Sequence, residues 1–242
     1  MPSRQDYSRI VRRELKPYLD RPGNAWEGIY RLLMWYEHGV PHIIDANNLK
    51  QGPWRERAKL VEKTLSTSFG CKVPEIPAIV DRLVHSEIFS TPPQRQNPLG
   101  IGFVEALLYF LETFCGDSCT FYPESAIGKQ VFSGVTGAPR SKPDIVVAKN
   151  GAEWVVISAK WSLRNDRLKD VRDECTYFKT LRPGIRFYVI TNEFAPARLE
   201  KLSTFYCVDG LVHVSKVALA SSGVNGRAKR VLDLQDLLGE LR

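Results

Sequence analysis

Apolar residues recur at helical spacing along the first part of the chain, and strand-like runs join them further on. Ile10, Val11 and Leu15 predict a short basic helix over residues 5–16, stopped by Pro17. Ile29, Leu32, Leu33 and Tyr36 predict a stronger helix over 25–37. Amphipathic stretches at 54–66 and 77–89 predict two more. A proline-rich loop at 90–100 leads into a strongly apolar helix over 101–114, interrupted only by Glu105 and Glu112. Residues 121–140 form a strand or loop passage containing Gly128, Lys129, Gly134, Gly137 and Arg140.

Two short apolar runs follow, Ile145 to Ala148 and Trp154 to Ile157. Lys149-Asn150-Gly151 lies between them, and Asn-Gly tolerates the positive φ of a tight turn, so the pair predicts an antiparallel hairpin. Beyond Lys160 the alternation stops. Leu168, Val171, Cys175 and Phe178 then predict a helix, with Asn165 or Asp166 as its cap. A central strand over 185–191, a helix over 196–205, two strand-like runs around Asp209-Gly210 and a closing helix over 231–241 complete the series. This order predicts an α/β fold: one domain with a mixed β-sheet flanked by helices and a helix-rich N-terminal part. Residues 1–90 would form a helical layer, 91–220 the core, and 221–242 the closing helix.

Composition narrows the partner. The 43% hydrophobic fraction supports a proper core, and the formal charge of +7 favours a polyanion. No run approaches the ~20 apolar residues of a membrane span, and the first residues lack the apolar core of a signal peptide. A soluble, cytoplasmic protein with no membrane partner is the expectation. Five cysteines at 71, 115, 119, 175 and 207 argue for reduced thiols. No second Cys or His pair stands at ligand spacing beside Cys115 and Cys119, which argues against zinc. Gly39 and Pro41 separate His38 from His42 and keep them off a common helical face.

The candidate chemistry lies between Ser141 and Glu174. The hairpin brings Asp144, at the start of one strand, toward Lys160, at the end of the next. Arg167 and Glu174 stand two turns apart and share a helical face, so Glu174 can point back at that pair while Asp173 points away. Two carboxylates and a lysine at a sheet end suit metal-assisted phosphodiester hydrolysis. The carboxylates are hard oxygen ligands for Mg²⁺, and the lysine stabilises the nucleophile and the phosphate. The competing reading is a solvated Asp and Lys before a charged surface helix. Arg164, Asp166 and Arg167 suit base readout. Arginine forks pair with guanine O6 and N7, and aspartate accepts from the cytosine amino group. Their alternative is a salt-bridged helix start.

Asp144 and Lys160 resemble the motif of the PD-(D/E)xK nucleases, with Ser158 standing where an acid is expected. The same departure occurs in the branch of type II restriction endonucleases that cut palindromes with a CCGG core. There a glutamate on the following helix supplies the missing acid, and an Arg-x-Asp-Arg element between them reads DNA. Ser158, Lys160, Arg164-Asn165-Asp166-Arg167 and Glu174 match this series in order and spacing. The resemblance implies a restriction-endonuclease-like fold and Mg²⁺-dependent cleavage of double-stranded DNA to 5′-phosphate ends. Asp144, Glu174 and an upstream helix glutamate would be the metal ligands, and Glu105 is the candidate for the last, with Glu112 as alternative. Ser158 would line the catalytic site. Gln94 and Gln96 stand where such enzymes use glutamine in the minor groove. It further implies homodimers, sometimes tetramers, a cognate DNA methyltransferase and a prokaryotic cytoplasm. Interrupted sites of the CCNGG type fit the same readout. Two rivals remain: a non-specific or structure-selective nuclease of this fold, and a DNA-binding module whose catalytic centre has decayed at Ser158.

Overall fold

In a computed structural model, the structure describes residues 4–30, 32, 98–123, 142–149, 152–221 and 231–242. The helices predicted over 54–66 and 77–89, the Asn150-Gly151 turn, His38, His42, Gln94, Gln96 and the glycines of 128–137 lie outside them. The chain divides into two compact units, Met1–Ala106 with Val217–Gly223, and Leu107–Lys216 with Val224–Arg242.

The first unit contains helix α1 (Arg4–Leu15), 3-10 turns at Lys16–Tyr18 and Pro22–Asn24, and helical residues at 25–30. Pro17 sits in the first of these turns, where its lack of an N–H costs no helical bond. Val11, Leu15, Ile29 and Tyr30 are buried, as the helical periodicity requires. Helix α2 (Pro98–Cys115) crosses the division between the units.

The second unit is built on one six-stranded sheet with its strands in sequence order. The strands are β1 (Thr120–Pro123), β2 (Ile145–Lys149), β3 (Ala152–Lys160), β4 (Arg186–Thr191), β5 (Gly210–His213) and β6 (Val231–Leu232). The first three pair antiparallel, and β3 to β6 pair parallel. Each parallel step needs a crossover. Helix α3 (Asn165–Leu181) links β3 to β4, and α4 (Pro196–Ser203) links β4 to β5. Helices α5 (Lys216–Ser221) and α6 (Leu234–Leu241) follow β5 and β6. Four consecutive residues of β2 and five of β4 are buried, the signature of strands covered on both faces.

Helix α3 buries Leu168, Val171, Cys175 and Phe178, the predicted stripe, together with Glu174. Its start differs from expectation. The helix begins at Asn165, and Arg164 is the N-cap residue, with no side-chain capping bond. Asp166, in the first turn, instead pairs with Arg164. The segment 206–217 yields one strand, because Asp209 spends its carboxylate on the Phe187 amide (2.6 Å) and Lys179 (2.7 Å) before β5 begins. Gly210 opens β5 where a Cβ would lie 2.6 Å from the Tyr188 ring. The closing segment begins as strand β6. Asp233 and Asp236 then form a reciprocal capping box that starts α6.

The cysteines also depart from expectation. Cys115 and Cys119 are free, but Cys175 on α3 is bridged to Cys207, whose Cα lies 5.8 Å away. Helix α3 packs close enough to the turn after α4 for the two to join. Among the described residues no helix is long and apolar enough to cross a membrane.

Candidate active site

Strand pairing assembles the site. Ile145 of β2 lies opposite Ile157 of β3, so Asp144 arrives beside the last residues of β3. Its Oδ2 accepts from the Ala159 amide at 2.7 Å and from Lys160 Nζ at 2.6 Å. Side chains alternate along a strand, so Ser158 and Lys160 project from one face and Ala159 from the other. Ser158 is fully buried and donates from Oγ to Glu174 Oε2 at 2.7 Å, joining β3 to α3. The structure thus brings together Asp144, Ser158, Lys160 and Glu174. Asp173 is exposed beside Arg172 on the outside of the helix.

Charge on Lys160 follows from its surroundings. Burial works to lower its pKa. The negative charges of Asp144 and Glu174 and the Asp144 hydrogen bond outweigh that, against a smaller push from Arg167. The net pKa lies above that of an ordinary lysine, so Lys160 is an ammonium at neutral pH.

Just beyond Lys160, three side chains stand out into solvent: Arg164 and Asp166 are 56% and 59% exposed, and Arg167 is 43% exposed. Arg164 Nη2 lies 2.8 Å from Asp166 Oδ2, and Arg167 lies 3.5 Å from Asp170. The slight desolvation of Asp166 acts to raise its pKa. The Arg167 amide and the guanidinium groups of Arg164 and Arg167 more than reverse this, leaving the pKa lowered and the group a carboxylate acceptor.

Glu105 sits near the middle of α2 within the first unit and is buried; Glu112 is half-buried on the same helix, in the second. Among the described residues, no three His, Cys, Asp or Glu side chains converge closely enough to hold a metal. The donors fit Mg²⁺ on their chemistry. Asp144 and Glu174 flank one lysine, and Mg²⁺ is commonly held by one or two carboxylates with substrate phosphate and water.

Sequence reasoning passed over Glu193. It stands in the turn between β4 and α4, is 2% exposed, and accepts four hydrogen bonds. Phe194 and Ala195 amides reach Oε1 at 3.0 Å each, and the Leu163 amide (2.8 Å) and Arg198 (3.0 Å) reach Oε2. The available signal was an acid two residues beyond the end of a central strand with five consecutive buried residues, where burial demands partners.

No protein-family model and no curated protein matches the chain. Among solved structures, it is similar to the restriction endonuclease PspGI in complex with substrate DNA, with TM-score 0.52 and 11% identity over 100% of this chain and 92% of that one. The chain has a restriction-endonuclease fold. A metal-depleted complex of Ecl18kI with uncleaved, modified DNA also matches, at TM-score 0.42 and 15% identity over 100% of this chain and 84% of that one. At 11% identity the likeness to PspGI speaks for the fold, and what the fold does here has to come from its side chains.

Proposed function

We propose that this protein is a type II restriction endonuclease that hydrolyses double-stranded DNA with Mg²⁺ at a palindrome with CC and GG half-sites, either CCGG or an interrupted form such as CCNGG. The observation that carries the reading is the paired contact at the end of β3. Lys160 meets Asp144, Ser158 meets Glu174, and exposed Arg164, Asp166 and Arg167 follow directly.

Asp144 and Glu174 would hold the metal; among the described residues Glu105, expected as a third ligand, does not join them in a cluster of three carboxylates. Bound Mg²⁺ supplies Lewis-acid polarisation of the phosphate and a more acidic water. Lys160, kept as an ammonium, stabilises the attacking hydroxide and the developing phosphate charge. Ser158 holds the Glu174 carboxylate in place from the strand. Arg164 and Arg167 pair with guanines and Asp166 with a cytosine amino group, which reads two adjacent G·C pairs. Each good bidentate pair contributes roughly 1–3 kcal/mol of discrimination. A homodimer places two such elements across a palindrome. A DNA-bound structural neighbour and the formal charge of +7 support the duplex as partner. Such an activity requires a methyltransferase that protects host DNA at the same site.

The test is digestion of a long, fully sequenced, unmethylated DNA with Mg²⁺, followed by sequencing of the fragment ends. Discrete 5′-phosphate ends sharing a CC…GG palindrome are expected. A smear without shared sequence identifies a non-specific nuclease. Binding without cleavage identifies a module inactivated at its centre.

A further inference from the structure

The three exposed readers stand on a backbone that is tied down, and the tie comes from the turn after β4 rather than from their own helix. Trp161 and Leu163 are buried to 4% and 0% exposure. The Trp161 carbonyl accepts from the Asn192 amide at 3.2 Å, and the Leu163 amide donates to Glu193 Oε2 at 2.8 Å. The Arg164 carbonyl then accepts from the Leu168 amide at 2.9 Å, which opens α3. The path from Lys160 to Arg164 is therefore fastened at Trp161 and Leu163, both times to residues that directly follow Thr191. Thr191 is itself the register partner of Lys160 in β4.

Glu193 is suited to act as a fixed post. Its Oε1 is taken by the amides of Phe194 and Ala195, so its own turn is locked. Arg198 on α4 supplies the compensating charge at Oε2. A buried carboxylate with four donors, one of them its counter-ion, has no low-energy alternative arrangement, because releasing any donor leaves a desolvated charge underbonded. Its remaining lone-pair direction ends on the Leu163 amide, one residue before Arg164.

We infer that Glu193 is a specificity-positioning residue, which sets where Arg164, Asp166 and Arg167 stand and so how sharply correct base pairs are told from incorrect ones. The inference rests on the reading of those three residues as base readers. Bidentate pairing is sensitive to displacements of about half an ångström in the supporting shell. Cleavage chemistry at Asp144, Lys160 and Glu174 has its own supports in β2, β3 and α3. Loosening the Leu163 tie therefore affects discrimination before it affects turnover.

The experiment uses the full chain and DNA carrying the site mapped from the fragment ends, beside the same DNA with one C·G pair of a half-site changed. Single-turnover cleavage of both is measured for the wild type and for Glu193→Gln, which turns one acceptor oxygen into a donor facing N–H groups. The expected result is a fall of tenfold or more in the ratio of correct to altered cleavage, with the rate on the correct site within about threefold of wild type. A lower melting temperature with an unchanged ratio overturns the inference and leaves Glu193 as a structural brace. If Glu193→Gln does not fold, Arg198→Gln is read in the same assay. It keeps the three amides and removes the counter-ion with its hydrogen bond; a ratio reduced about threefold supports the inference and an unchanged ratio overturns it. A wild-type enzyme that cuts correct and altered DNA equally overturns the base-reading function itself. That outcome is seen before any variant is made.

Discussion

Ser158 on β3 donates its hydroxyl hydrogen to Glu174 on α3 across 2.7 Å, with both side chains buried. A serine in this place lets the strand present an uncharged partner to the helix carboxylate. Ser158→Ala removes one donor from a buried carboxylate and is expected to lower stability by roughly 1–3 kcal/mol in denaturant titrations. Ser158→Asp is the sharper test. It sets two carboxylates against each other beside Asp144, so metal-free protein melts well below wild type, and Mg²⁺ recovers part of the loss. Equal melting shifts on Mg²⁺ addition in wild type and variant would show that Ser158 does not face metal-binding carboxylates.

Lys160 is held as an ammonium by Asp144 and Glu174 despite its burial. A fixed charge of this kind acts on the reacting phosphate rather than on base recognition. Lys160→Ala is expected to slow cleavage about 10²–10³-fold, the usual cost of removing one electrostatic stabiliser. Binding to the mapped site should change only a few-fold. Single-turnover rates and gel-shift titrations separate the two, and unchanged cleavage would remove Lys160 from the mechanism.

Arg167 and Arg172 lie on the same helix and are comparably exposed, which makes them a matched pair. Among the described residues Arg172 pairs with Asp173, at 3.4 Å, in a surface contact worth little. Arg167→Ala is expected to weaken binding to the mapped site by roughly 1–3 kcal/mol and to random DNA much less. Arg172→Ala should lower both slightly and equally. An equal loss on all sequences for Arg167→Ala would reduce it to a phosphate contact.

The parts legible in the sequence were those governed by local periodicity. The β2–β3 hairpin follows from two apolar runs, and the buried stripe of α3 follows from Leu168, Val171, Cys175 and Phe178. The convergence of Asp144, Lys160 and Glu174 follows in turn from hairpin register and helical pitch, both fixed by geometry. What was not legible depended on contacts distant along the chain. Asp209 takes the Phe187 amide, so a stretch that reads as strand becomes a turn. Val231-Leu232 adds to the sheet edge through β5, a pairing that two residues cannot signal alone. Glu193 looks like any loop acid until the Leu163 amide, thirty positions earlier, is brought to it.

Cys175 follows Glu174 directly and is bridged to Cys207 at a sequence separation of 32. Closing a loop of that length restricts the unfolded chain by about 3–4 kcal/mol on the chain-entropy account. Reduction with dithiothreitol is expected to lower the denaturation midpoint accordingly. Cys207→Ser should lose the reductant dependence, and a midpoint identical with and without reductant in the wild type would argue that the two sulfurs are thiols in solution.

His213 closes β5 beneath the same end of the sheet, completely buried against Phe194. Its Nδ1 lies 2.8 Å from the Ser215 carbonyl and 3.1 Å from the Ser215 amide, and Nε2 lies 3.1 Å from the Glu193 carbonyl. Burial dominates and pushes its pKa down to about 4, although the backbone contacts with Ser215 and Glu193 and the Glu193 charge work to raise it. The unfolded chain carries an ordinary imidazole near pH 6.5. Between those values the unfolded state binds the proton that the folded state refuses, so stability rises with pH there. The contribution is full above about pH 6.5 and is lost as pH falls through about 4, amounting to roughly 3 kcal/mol. Denaturant titrations at pH 7, 5.5 and 4.5 should show this decline, and His213→Gln should flatten it, leaving only the slope due to carboxylates.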